Sequence, residues 1–93
     1  MPTPATVTAK MIMELIERQE FHCAFSGREL TPETASLDHI VPLSRGGTHD
    51  ISNLCVVDHQ INAAKSTMTV EEFVAMCREV AAWRSEASSA VNP

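Results

Sequence analysis

Asp38 and His39 stand side by side in "SLDHIVPLSRGG", a stretch that is otherwise apolar from Leu37 to Pro42. A carboxylate is a hard oxygen donor of the kind Mg²⁺ takes. An imidazole, with an unperturbed pKa of about 6.5, takes up a proton near neutrality. The pair has the parts for metal-assisted proton transfer. Asn53 follows fifteen positions after Asp38, Asn62 nine further on, and Lys65 three beyond that. On a helix Asn62 and Lys65 share a face, and Asp58, four residues before Asn62, shares it too. Each residue also has an ordinary reading: Asp38 as a turn acid, His39 as a satisfied or exposed imidazole, Asn53 as a loop-closing side chain, Lys65 as a solvated charge. Asn62 is harder to dismiss, because asparagine is a poor helix former.

The surrounding elements follow from periodicity. Met11, Ile12, Leu15 and Ile16 have helical spacing and predict an amphipathic helix over 8–20. "FHCAFSGREL" and "TPET" hold turn signals at Ser26-Gly27 and Pro32. A strand is expected at Leu37–Leu43, a loop through "SRGGTHDIS", and a short strand at "NLCVV". A helix then opens at Asp58, a good cap, and gains from Ala63 and Ala64. Thr69 and Glu72 form a capping-box signature for a last helix over 69–86, striped by Val70, Phe73, Val74, Cys77, Val80 and Ala81. Residues 1–5 and 87–93 read as disordered.

"LDHIVPLSRGG", "SNL" and "INAAK" together resemble the HNH endonuclease family, the nucleases built on a ββα-metal (His-Me finger) core. The match runs from about Phe21 to Lys65. It implies an α+β fold, a single domain over 1–93 whose core (36–66) is a two-stranded antiparallel hairpin and a helix, flanked by the N-terminal and C-terminal helices. It also implies hydrolysis of DNA phosphodiester bonds to a 5′-phosphate and a 3′-hydroxyl. By that resemblance Asp38 and the side-chain oxygen of Asn62 hold one Mg²⁺ or Mn²⁺, His39 is the general base, and Asn53 pins the loop that orients it. Lys65 completes the catalytic set. Lys65 and Arg45 suit phosphate contact, with the backbone N–H groups of Gly46 and Gly47 as a possible anion nest; a tight loop needs glycine equally well. Asp38 and His39, as neighbours on a strand, point to opposite faces, so a bulge, a twist or a phosphate astride the strand edge is required.

Many members of that family add a zinc knuckle of two C-x-x-C pairs. Here the corresponding positions are Cys23, Ser26, Asp58 and Ile61, so no structural zinc is expected. A makeshift site joining Cys23 to His22, Cys55 or His59 is a lesser alternative, and His49 and His59 have no assigned role. Three cysteines without a C-x-x-C pair argue against a disulfide framework.

Composition sets the outer limits. Ninety-three residues fit one domain, with 44% hydrophobic and 20% charged residues. No apolar run approaches the roughly 20 residues that span a bilayer, and "MPTPATVTAK" lacks the features of a secretory signal. The cytoplasm is the expected compartment, with no membrane partner. A formal charge of −5 disfavours nucleic acid, yet 38–65 carries Asp38, Asp50 and Asp58 against Arg45 and Lys65, a net −1 that one divalent cation reverses. The expected partner is DNA, with a homodimer or a larger complex where both strands are cut or specificity is borrowed. Small proteins resembling this one occur in phages and prophages. The alternative is a non-catalytic nucleic-acid- or protein-binding module with a vestigial metal site, such as an accessory subunit of a phage DNA-processing complex.

Overall fold

A computed structural model describes residues 6–91. Disorder was expected over 1–5 and 87–93, of which 1–5 and 92–93 lie outside the described residues and 87–91 fall in the last helix. Helix α1 covers Ala9–Arg18, and Thr8 caps it, its hydroxyl accepting from the Met11 N–H at 3.1 Å. The spacing of Ile12, Leu15 and Ile16 turns these three toward the core. Glu20 and Phe21 follow at φ 53° and 59°, reversing the chain directly after the helix.

Strand β1 (Ala35–His39) and strand β2 (Leu54–Asp58) form an antiparallel hairpin in continuous register, from Ala35 opposite Asp58 to His39 opposite Leu54. All five residues of β2 are buried. Its outer edge is closed by a side chain: the Gln19 amide donates to the Val56 carbonyl at 2.8 Å and accepts from the Val56 N–H at 3.0 Å. Gln19 thus stands in for a third strand and leaves no raw edge at that point. Cys23, Leu30, Cys55, Val56 and Val57 form the buried centre, with Ile12, Leu15, Ile16, Phe25, Leu37, Ile40 and Ile61 packed around it.

The strand expected over Leu37–Leu43 starts earlier and stops at His39. The Ile40 N–H still reaches the Asn53 carbonyl at 2.8 Å, but the polar backbone of Val41 is taken by the Asn53 side chain, and Pro42 has no N–H to donate. Short 3₁₀ turns at Leu43–Arg45 and Ile51–Asn53 shape the loop instead.

Helix α2 (His59–Lys65) begins directly after β2, and Asp58 caps it by accepting from the Gln60 N–H at 2.8 Å. Helix α3 spans Val70–Val91. Its capping box closes in both directions, Thr69 N–H to Glu72 at 2.9 Å and Glu72 N–H to the Thr69 hydroxyl at 3.2 Å. The helix passes the expected end at 86, since no glycine or proline interrupts it before Pro93. Of its expected apolar stripe Phe73 is buried, whereas Cys77 and Val80 are exposed. No helix among the described residues is long and apolar enough to cross a membrane.

Candidate active site

The direction of α2 assembles the site. It leaves the hairpin at the Asp58–Ala35 end and runs back toward the His39–Leu54 end, so its successive turns meet successive residues of β1. Asn62 donates its amide N–H to the Ser36 hydroxyl at 2.7 Å, and Lys65, one turn on, places Nζ 3.2 Å from Asp38 Oδ2 and 3.2 Å from the His39 carbonyl. Ser36 and Asp38 are two residues apart on β1 and share a face. Asp38, Asn62 and Lys65 therefore come together on the α2 side of the hairpin.

Asp38 and Lys65 are both buried, Lys65 with no exposed surface. An ammonium and a carboxylate out of water require each other, because the desolvation of either alone would be severe. The ion pair nevertheless leaves Asp38 under-used. Nζ lies within ion-pair range of Oδ2 but off the line of a hydrogen bond, and this buried oxygen has no hydrogen-bond partner. Asn62 spends its nitrogen on Ser36, which leaves its oxygen free to accept. A carboxylate and an amide oxygen with unused lone pairs on one face fit a small hard cation that retains most of its waters. Among the described residues no group of three or more His, Cys, Asp or Glu side chains is arranged around a common point.

His39 leaves the strand toward the loop. The register is regular through the His39–Leu54 pair, so no bulge turns Asp38 and His39 to the same side. They instead sit at the terminus of β1, where the chain bends away. The His39 ring meets a second imidazole, with Nε2 2.9 Å from Nδ1 of His49 and the rings tilted by 46°. Asn53 organises this loop. Its Oδ1 accepts from the Val41 N–H at 2.9 Å, and its Nδ2 donates to the carbonyls of Val41 at 3.0 Å and Thr48 at 2.8 Å.

The residues expected at phosphate have these surroundings. Lys65 is enclosed, its ammonium spent on Asp38 and the His39 carbonyl, so it offers no surface to a phosphate. Gly46 and Gly47 form no anion nest, because their N–H groups bond within the loop, to the carbonyls of Leu43 at 3.2 Å and Pro42 at 3.0 Å. Both glycines have steric reasons instead. Gly46 adopts φ 88°, and a Cβ on Gly47 would fall 1.8 Å from the Val41 carbonyl oxygen. Arg45 is turned toward α3, hydrogen-bonded to Glu72 and 3.4 Å from the Thr67 carbonyl. The Arg45 guanidinium holds the Glu72 carboxyl below the usual glutamate range, helped by the Thr69 N–H.

The knuckle positions are occupied by other bonds. Cys23 Sγ accepts from the Ser26 N–H at 3.4 Å. Burial works to raise the Cys23 pKa, but hydrogen bonds from the Ser26 side chain and the backbone of Asp58, Phe25 and Ser26 bring it below the ordinary thiol value. Arg28 bridges the two halves, 3.3 Å from Asp58 and 2.7 Å from Gln60 Oε1. Cys55 is buried, and desolvation with the nearby Asp38 charge pushes its thiol up to about 12. His59 is exposed at the start of α2.

The sequence profile of the HNH endonuclease family matches residues 23–76, more than half of the chain and all of the site just described. The chain belongs to the HNH endonuclease family. It is 37% identical over 51 residues to the CRISPR-associated endonuclease Cas9 of Corynebacterium diphtheriae, which covers 54% of this chain but 5% of that protein. The crystal structure of the Type II-C Cas9 enzyme from Actinomyces naeslundii superposes with a TM-score of 0.66 at 24% identity, over 81% of this chain and 8% of that one. This HNH chain thus spans a small fraction of the length of either relative, and the structural likeness speaks for the α+β fold.

Two residues of the site carried no signal at the level of sequence reading. Ser36 is recognisable only afterwards, as the residue two before Asp38 on the same strand face. His49 meets His39 through the path of the loop, which no local pattern specifies.

Proposed function

We propose that this HNH domain hydrolyses phosphodiester bonds in DNA, with one divalent cation held by Asp38 and Asn62 and with His39 as the general base. The observation that supports this reading is the Asp38 carboxylate: it is buried beside α2, and although Lys65 Nζ lies 3.2 Å from Oδ2 this oxygen makes no hydrogen bond, while Asn62 uses its nitrogen on Ser36, two residues before Asp38, and keeps its oxygen to accept. When bound, Mg²⁺ or Mn²⁺ supplies Lewis-acid stabilisation of the charge that develops on the phosphate and the departing oxygen.

The chain's own residues do the rest. Lys65 compensates the Asp38 charge from beneath and, through the His39 carbonyl, ties the end of β1 to α2. Asn53 fixes Val41 and Thr48 relative to one another and so fixes where the His39 ring lies. His39 takes a proton from the attacking water. Its position at the strand terminus, with Asp38 on the adjoining face, suits a phosphate lying across the end of β1. DNA is the proposed substrate because the relative from C. diphtheriae is named as an endonuclease and the chain carries the full HNH set. A larger assembly or a dimer is proposed as the route to cutting both strands, since one chain presents one such site.

Incubation with supercoiled plasmid and Mg²⁺ or Mn²⁺ tests the proposal. Nicking that EDTA stops, and that His39→Ala abolishes in a protein with an unchanged circular dichroism spectrum, is the expected result. Absence of nicking across several divalent ions and DNA forms would overturn it in favour of a non-catalytic binding module.

A further inference from the structure

His49 lies ten residues from His39 in the chain, and their ring nitrogens are 2.9 Å apart, His39 Nε2 to His49 Nδ1. That contact does not depend on chance packing of two surface rings. Asn53 Nδ2 holds the Thr48 carbonyl, one residue before His49, while the same amide grips both backbone groups of Val41, two residues after His39. Gly47 comes in under Val41 so closely that any Cβ would collide with the Val41 carbonyl. One asparagine and one glycine thus clamp the two ends of the loop, and the clamp brings the imidazoles together.

The hydrogen bond has a chemical consequence. One proton is shared between the two facing nitrogens, so one ring donates and the other accepts. If His49 Nδ1–H donated, His39 Nε2 would spend its lone pair as acceptor and the neutral ring would carry its own proton on Nδ1, leaving no free base. If His39 Nε2–H donates, His39 Nδ1 is unprotonated and available. Only the second arrangement makes His39 a base, and it requires an acceptor where His49 Nδ1 lies.

We propose that His49 is a positioning residue for His39: by accepting the Nε2–H it fixes the tautomer and the ring orientation in which Nδ1 faces the attacking water. This rests on the reading of His39 as the general base. In the step itself the water proton passes to Nδ1, the O–H electron pair becomes the new O–P bond, the bond from phosphorus to the 3′-oxygen breaks, and that oxygen takes a proton from solvent. The Nε2–H stays on His39, and its bond to His49 strengthens as the ring becomes cationic. His49 is exposed, so its substitution leaves the core untouched.

The test uses His49→Ala and His49→Asn in the full chain, with two readouts. Long-range ¹H–¹⁵N spectra of the imidazoles, at about pH 8 where unperturbed histidines are neutral, report the tautomer without any need for activity. The native protein is expected to show His39 protonated on Nε2, His49→Ala a mixture, and His49→Asn, whose side-chain oxygen can accept, the native form again. Single-turnover plasmid nicking with saturating Mg²⁺ is expected to fall roughly 10- to 100-fold in His49→Ala, the usual cost of losing a partner that orients a histidine, with DNA affinity unchanged and substantial rescue in His49→Asn. Native nicking rates in His49→Ala would overturn the inference while leaving the nuclease reading intact, whereas a native His39 protonated on Nδ1 would overturn both the inference and the base assignment. A correct tautomer in a protein that nicks no DNA would overturn the base assignment on which it rests.

Discussion

Lys65 shows how far burial can change what a residue type means. A lysine three positions after a candidate ligand reads as a phosphate contact, because lysines are seldom enclosed. Here it has no exposed surface and is matched to Asp38. Removing one partner of a buried ion pair leaves the other charge uncompensated, so Lys65→Met should cost about 3–5 kcal/mol of folding stability in urea denaturation. Adding Asp38→Asn to it should restore much of that loss, which a lysine of the solvated kind would not show. Cys55 and Cys77 differ in the same way. With its thiol buried and pushed up to about 12, Cys55 should resist a thiol reagent until the protein unfolds, whereas exposed Cys77 should react at once. Two fast thiols on rapid mixing would contradict the burial of Cys23 and Cys55.

At the scale of elements, the loop between the strands is the most demanding piece. Asn53→Ala removes three hydrogen bonds and strands the Val41 backbone, for an expected loss of about 2–3 kcal/mol. Gly47→Ala should be at least as damaging to loop order, since a Cβ 1.8 Å from the Val41 oxygen forces the backbone apart; protease cleavage within 40–53 would report it. The α3 start has a pH signature. Glu72 is held below its ordinary value in the folded state, so its contribution is complete above the unfolded value, near 4.3, and fades as pH falls through the lower folded value. Arg45→Ala should remove most of that acid sensitivity, read as the pH dependence of the melting temperature. Much of this scale was legible in advance. The helical spacing of Ile12, Leu15 and Ile16, the Asp58 cap and the Thr69–Glu72 box are local patterns with local causes. The early end of β1 was not legible, because it depends on Asn53, twelve residues past Val41, taking the backbone bonds of the ladder. Ten residues of loop likewise hid the pairing of His39 with His49, while the approach of Asn62 to Ser36 and of Lys65 to Asp38 follows once α2 starts directly at the end of β2.

Across the whole molecule, α1 packs on β2 and α2 on both strands of the hairpin, and the principal extents are 63 × 28 × 18 Å. Trp83 is 68% exposed on α3. Its emission should therefore already be that of a solvated indole in the native protein, with little further red shift in urea. The net charge of −5 leaves little general attraction for a polyanion, so the proposed function depends on the cation assigned to Asp38 and Asn62. Diffraction from crystals grown with Mn²⁺, recorded for its anomalous signal, tests this most directly. A single peak at coordination distance from an Asp38 carboxylate oxygen and from Asn62 Oδ1, roughly 2.0–2.3 Å, is the predicted result. A peak seated on the His39–His49 pair, or none near Asp38 at saturating Mn²⁺, would contradict it.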